Sequence, residues 1–162
     1  MKPASRIAID DAMRLCENHL RLTNTWGTDI ESYLTRFLVI FICGKYEREL
    51  ERMINARAES TKDKGIASFI AELIFHKDWV HLSEIRGEIL GRFGEEYKKA
   101  FDKRLYGSVA PISYENIVID RMSSAHGGGL TKNITFKELK NSYKEADKVL
   151  TVVSRILKVQ RL

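Results

Sequence analysis

Residues 29 to 58, DIESYLTRFLVIFICGKYERELERMINARA, run without a proline and keep helical apolar spacing from end to end. The first half is apolar nearly all round, as in a central buried helix. The second half narrows to Tyr46, Leu50, Met53 and Ile54 on one face. This segment reads as the spine of a domain, and it dictates that the other segments pack around it.

They carry the same periodicity. Ile7, Met13 and Leu20 mark a first helix ending near the TWG of residues 25 to 27. Beyond the polar ESTKDKG, Ile66, Phe69, Ile70, Leu73 and Ile74 mark a short third helix. Ser83 is placed to cap a fourth through Ile85, Ile89, Leu90 and Phe93, pausing at Gly94 and continuing through Tyr97 and Phe101 to Leu105. Ser113 is placed to cap a fifth, with Ile112 and Ile117 as a hydrophobic staple, and the glycines at 127 to 129 end it. The last helix opens at Thr135, where T-F-K-E forms a capping box. Its seam of Leu139, Tyr143, Ala146, Leu150, Val153 and Leu157 alternates four and three. With no strand-like alternation and no internal repeat, the expectation is one all-α domain over residues 1–162, long enough to bury its own core.

The most apolar run, Phe37 to Cys43, falls far short of the roughly 20 residues that span a bilayer, so no membrane segment is expected. No secretory signal is apparent at the start. Cys16 and Cys43 lie in apolar helical pattern with neither zinc nor disulfide spacing, which favours a reducing, cytoplasmic setting. Lys plus Arg is 27 against 22 for Asp plus Glu, a mild bias towards polyanions that leaves RNA, DNA and acidic proteins open as partners.

One residue breaks the pattern. At about 100° per residue, Tyr114, Ile117, Val118, Met122 and Ala125 share an arc of the fifth helix, and Arg121 falls near its middle. An unpaired buried guanidinium costs several kcal/mol, roughly, so it needs a counter-charge. Two accounts fit. Arg121 pairs with a carboxylate of a neighbouring helix and fixes register, with His126 capping the helix; or the arc faces a cleft or a second copy, and Arg121 meets a bound anion while His126 moves protons. Spacing alone does not decide, since Arg14 and His19 are equally far apart in a charged mid-helix context, where His19 reads as a surface or packing residue. His76 and His81, flanking Trp79, do not share a face as a metal pair does, and are read as structural.

The segment IVIDRMSSAHGG, followed after a gap by TFKELKNSY, resembles the HEPN superfamily, and most closely its RiboL-PSP type. In those domains a penultimate helix ends in arginine, four to six residues, then histidine and glycine, ahead of a long closing helix. YLTRFLVIFICGKYERELERMI and HLSEIRGEILGRFG are similar to other parts of the family, and the likeness extends over residues 5 to 160. It implies an antiparallel helical bundle with a long central and a long C-terminal helix. It also implies a homodimer in which two motif helices meet, and an RNA endonuclease without metal or other cofactor. Many relatives are toxins or defence factors, so an antitoxin protein joins RNA and a second copy among the implied partners. The family's catalytic pair maps onto Arg121 and His126. The alternative is a HEPN-like module that binds RNA or protein without cutting.

This chemistry is coherent. RNA's 2′-hydroxyl attacks the adjacent phosphate, which calls for a proton acceptor or donor and a cation for the developing charge. Residues five apart lie about 140° round a helix from each other, so a twofold arrangement with the apolar stripe as subunit seam would bring two arginines and two histidines together. Met122 stands where relatives often have a polar residue, leaving Ser123 and Ser124 as auxiliary hydrogen-bonding groups. Asp120 is either an orienting group or a solvated acid. Gly128 stands where some relatives carry a modifiable tyrosine, which argues against regulation by that route. Lys137, Lys140, Lys144 and Lys148, with Arg155 and Lys158, form a basic stripe that suits an RNA backbone or simply a solvated face.

Overall fold

A computed structural model describes residues 4–74, 80–125 and 134–158. Among them the chain is all-helical, without strands. Helix α1 is Ala4–Thr23, α2 Asp29–Glu59 and α3 Lys64–Ile74. Helix α4 begins as Leu82–Glu84, loosens to π-helical Ile85–Leu90 and closes with Gly91–Phe93. Then follow α5 Glu95–Leu105, α6 Ala110–Ala125 and α7 Phe136–Lys158. No helix among the described residues is long and apolar enough to cross a membrane.

Helix α2 is the spine, touching α1, α3, α6 and α7. Thr28 caps it, its hydroxyl accepting from the Ile30 N–H at 3.2 Å. Gly27, at φ +72°, supplies the left-handed turn that separates it from α1. Its burial is one-sided, however. Leu38, Val39, Ile42, Cys43, Tyr46 and Leu50 are sealed in the core, whereas Ile30 (42% exposed), Tyr33 (68%), Phe37 (52%) and Ile40 (48%) face outwards. The expectation of an all-round buried first half is thus corrected: its helix neighbours occupy one side, and the near-continuous apolar pattern conceals a second, uncovered stripe.

The closing helix follows its expected pattern closely. All six seam residues are buried. In the capping box Glu138 accepts from the Thr135 N–H at 2.8 Å, and the Thr135 hydroxyl accepts from the Glu138 N–H at 3.3 Å. Glu31 on α2 ties this start to the far side of the bundle, accepting from the Gly27 N–H at 2.7 Å and from the Phe136 N–H at 3.1 Å. Trp26 meets the Phe136 ring edge-on, centroids 5.7 Å apart.

Two caps differ from expectation. Helix α4 starts beyond His81, whose N–H donates to Glu84 at 3.1 Å, so Ser83 lies inside the first turn. Helix α6 starts at Ala110, whose N–H donates to the Ser108 hydroxyl at 3.2 Å. With Pro111 tolerated in the first turn, Ser113 is an interior residue and Ile112, 65% exposed, forms no staple with buried Ile117. Gly94, at φ +136°, breaks the chain between α4 and α5 as its composition suggested.

Candidate functional site

Helix α6 crosses α2 through a ladder of side chains. Tyr46 and Tyr114 stack at 5.1 Å with planes 10° apart, both sealed from solvent. The Cys43 thiol points at the Ile117 carbonyl, Sγ to O 3.8 Å. Arg121 then closes the ladder by donating from Nη1 to Oε1 of Glu47. Both of these side chains remain about a quarter exposed, 26% for Arg121 and 22% for Glu47.

The arginine's place within the apolar arc now has a local cause. Tyr114, Ile117 and Val118 are fully buried within the chain's own core. Tyr114, Ile117 and Val118 are therefore not available to a subunit seam, a correction to that part of the expectation: they are consumed by packing within the chain, whereas the side chains of Met122 and Ala125, the rest of the stripe, lie outside the described residues. Arg121 continues that arc to the edge of the core, where the flexible stem follows the apolar surface and the guanidinium reaches a carboxylate. The pairing anticipated from a neighbouring helix is present.

Charge and burial are felt at Cys43. Burial pushes its thiol up to about 12, Arg121 pulls against this, and Glu47 and Asp120 reinforce it. Asp120 is half-buried, its carboxyl raised by burial and by Glu138 on α7, so it is not a freely solvated acid. His126 and Gly127 to Gly129 lie outside the described residues, as do the side chains of Met122, Ser123 and Ser124, although α6 itself runs to Ala125.

The lysines of α7 divide. Lys140 is committed to Glu17 of α1, 2.7 Å from each carboxylate oxygen, and Lys148 to Glu145. Lys137 and Lys144 are exposed and form no ion pair among the described residues. His81 behaves as a structural histidine, Nδ1 lying 2.7 Å from Glu115 of α6, which also accepts from the Leu82 N–H at 3.0 Å. His19 is exposed.

Sequence reasoning missed Glu47. KYERELER offers glutamates at 47, 49 and 51, and only the docking angle of α6 selects the first as the partner of Arg121. Comparison with known proteins adds no relative: no family model, curated protein or solved structure gives a significant match.

Proposed function

We propose that the chain is a metal-independent endoribonuclease of HEPN type, acting as a homodimer with Arg121 and His126 as its catalytic pair. One observation carries the reading: Arg121, in the last described turns of α6, stays partly open to solvent while its guanidinium donates to a carboxylate of α2. Glu47 pre-orients the guanidinium, and a phosphate oxygen can replace the carboxylate by the same charge-assisted hydrogen bond. In the reaction the RNA 2′-oxygen bonds to the adjacent phosphorus and the bond from phosphorus to the 5′-oxygen breaks. One His126 takes the 2′-hydroxyl proton, the second copy's His126 protonates the departing oxygen, and arginine steadies the phosphorane charge.

The dimer seam in this proposal moves to α2. Ile30, Tyr33, Phe37, Ile40, Gly44 and Glu47 alternate three and four along the helix. Nothing stands within 4 Å of where a Cβ on Gly44 would lie, so two copies of α2 can cross closely there. Glu47 is one turn away, about 5 Å along the axis, which brings both ion pairs to the crossing. Lys137 and Lys144 then serve as contacts for the RNA backbone.

The pairing itself favours a second reading, a HEPN-like module that binds RNA or a protein partner without cutting, because an arginine satisfied within its own chain is what a register lock requires. Incubating purified protein with single-stranded RNA in EDTA separates the two. The nuclease reading expects cleavage that disappears in Arg121→Ala and in His126→Ala while fold and dimer persist. Intact RNA with saturable binding supports the module instead. A toxin or defence role with an antitoxin belongs to the nuclease reading, and expects growth arrest on expression that His126→Ala abolishes.

A further inference from the structure

On the other side of α2, a two-lobed cleft opens between α1, α2 and α7. Its lobes measure about 460 and 170 Å³ and share Arg52, Met53, Ser154 and Lys158. Arg52 and Ala56 stand about 140° and 180° round α2 from Glu47, so the cleft is separate from the Arg121 edge and owes nothing to the nuclease reading.

Its walls hold two buried acids, Glu49 and Asp147. Each is already answered. Arg52 grips Glu49 with contacts of 2.5 and 3.0 Å, Ser5 adds a hydroxyl at 3.3 Å, and Arg6 meets Asp147 at 2.6 Å. Removing either arginine would take the counter-charge from a buried carboxylate, so both cations are committed to the fold.

Other cations in the cleft form no ion pair among the described residues: Arg57, which donates to the Tyr97 hydroxyl at 3.0 Å, Arg155 and Lys158. Helix α2 ends here at Ser60, its carboxyl end contributing about half a negative charge. Against these three cations that leaves a positive, concave surface, which concentrates anions.

We propose that this cleft binds a terminal phosphate group borne by a nucleoside. Lys158 and the Ser154 hydroxyl line both lobes, with Arg155 in the larger and Arg57 in the smaller, and this excess of cations suits a phosphomonoester dianion better than a backbone diester with its single charge. Met53, Leu150 and Leu157 provide apolar wall for a base, and the larger lobe falls within the roughly 300–1,000 Å³ of small-molecule sites. The phosphate comes either from a free nucleotide or from the end of an RNA strand.

Titration calorimetry with AMP tests this on the full chain. Saturable binding is expected, with adenosine at least about tenfold weaker, and Arg155→Ala with Lys158→Ala lowering AMP affinity about tenfold without lowering the melting temperature. Lys103→Ala with Arg104→Ala removes equal charge from exposed positions on α5 and is expected to leave affinity within about twofold. A 5′-phosphorylated, 2′-O-methylated tetranucleotide that displaces AMP assigns the site to RNA ends; failure to displace it assigns the site to free nucleotides. Absent binding of both AMP and the tetranucleotide, equal affinity for adenosine, or equal loss in the control variant overturns the proposal.

Discussion

Arg121 on α6 and Glu47 on α2, 74 residues apart in sequence, form an ion pair at the edge of the core, where each is covered on about three sides of four. Such a pair lies between the exposed and the buried extremes, so a coupling of about 1–2 kcal/mol is expected. A double-mutant cycle with Arg121→Ala and Glu47→Ala, read by urea denaturation, measures it. Coupling near zero would mean that the contact contributes nothing to register.

Cys43 supplies a pH dependence whose sign follows from burial. Its thiol, ordinarily near 9.0, stands at about 12 in the fold, so the unfolded chain loses that proton first as pH rises. Stability from this group is complete below pH 9 and declines towards pH 12, with a slope of up to about 1.4 kcal/mol per pH unit. Burial likewise raises Tyr46 and Tyr114, steepening the loss at higher pH. Denaturation curves at pH 8, 9 and 10 are expected to show the decline, and Cys43→Ala to flatten its first part.

The stacked tyrosines separate packing from polarity. Both hydroxyl oxygens are buried without a hydrogen-bond partner among the described residues, a condition that costs about 1–3 kcal/mol per group. Tyr114→Phe is therefore expected to be neutral or stabilising, whereas Tyr114→Ala should lose about 3–5 kcal/mol through the cavity. A clear destabilisation by Phe would show that the hydroxyl is satisfied.

For the α2 stripe, Phe37→Asp together with Ile40→Asp is expected to halve the mass seen by light scattering while leaving thermal stability nearly unchanged, since both side chains are about half exposed in the single chain. An undiminished mass places the seam elsewhere, and a monomeric wild type removes it altogether.

Local rules made much of this legible. The Thr135 capping box and the seam of α7 need only i+3 and i+4 relations, and Gly94 announces its own break. Ser113 misled because a hydroxyl before an apolar run suits a cap, but Ser108 lies five residues earlier and Pro111 does not interrupt a first turn. The opening half of α2 misled differently: apolar residues on every face do not say which faces receive neighbours. Arg121 was recognisable as anomalous from its arc alone, but its partner was not, because choosing Glu47 over Glu49 or Glu51 depends on how two distant helices cross. The cleft between α1, α2 and α7 was legible only in part: Arg155 and Lys158 belong to the basic stripe of the last helix, but Arg6 and Arg52 join them only through the packing of α1 and α2.

Glu31 anchors the Gly27 turn and the first amide of α7 with one carboxylate. The closing helix is consequently moored at its first residue through α2. Because the same carboxylate also fixes the turn ahead of α2, the berth of the last helix and the start of the spine are set by one side chain, and losing it would loosen both ends of that arrangement together.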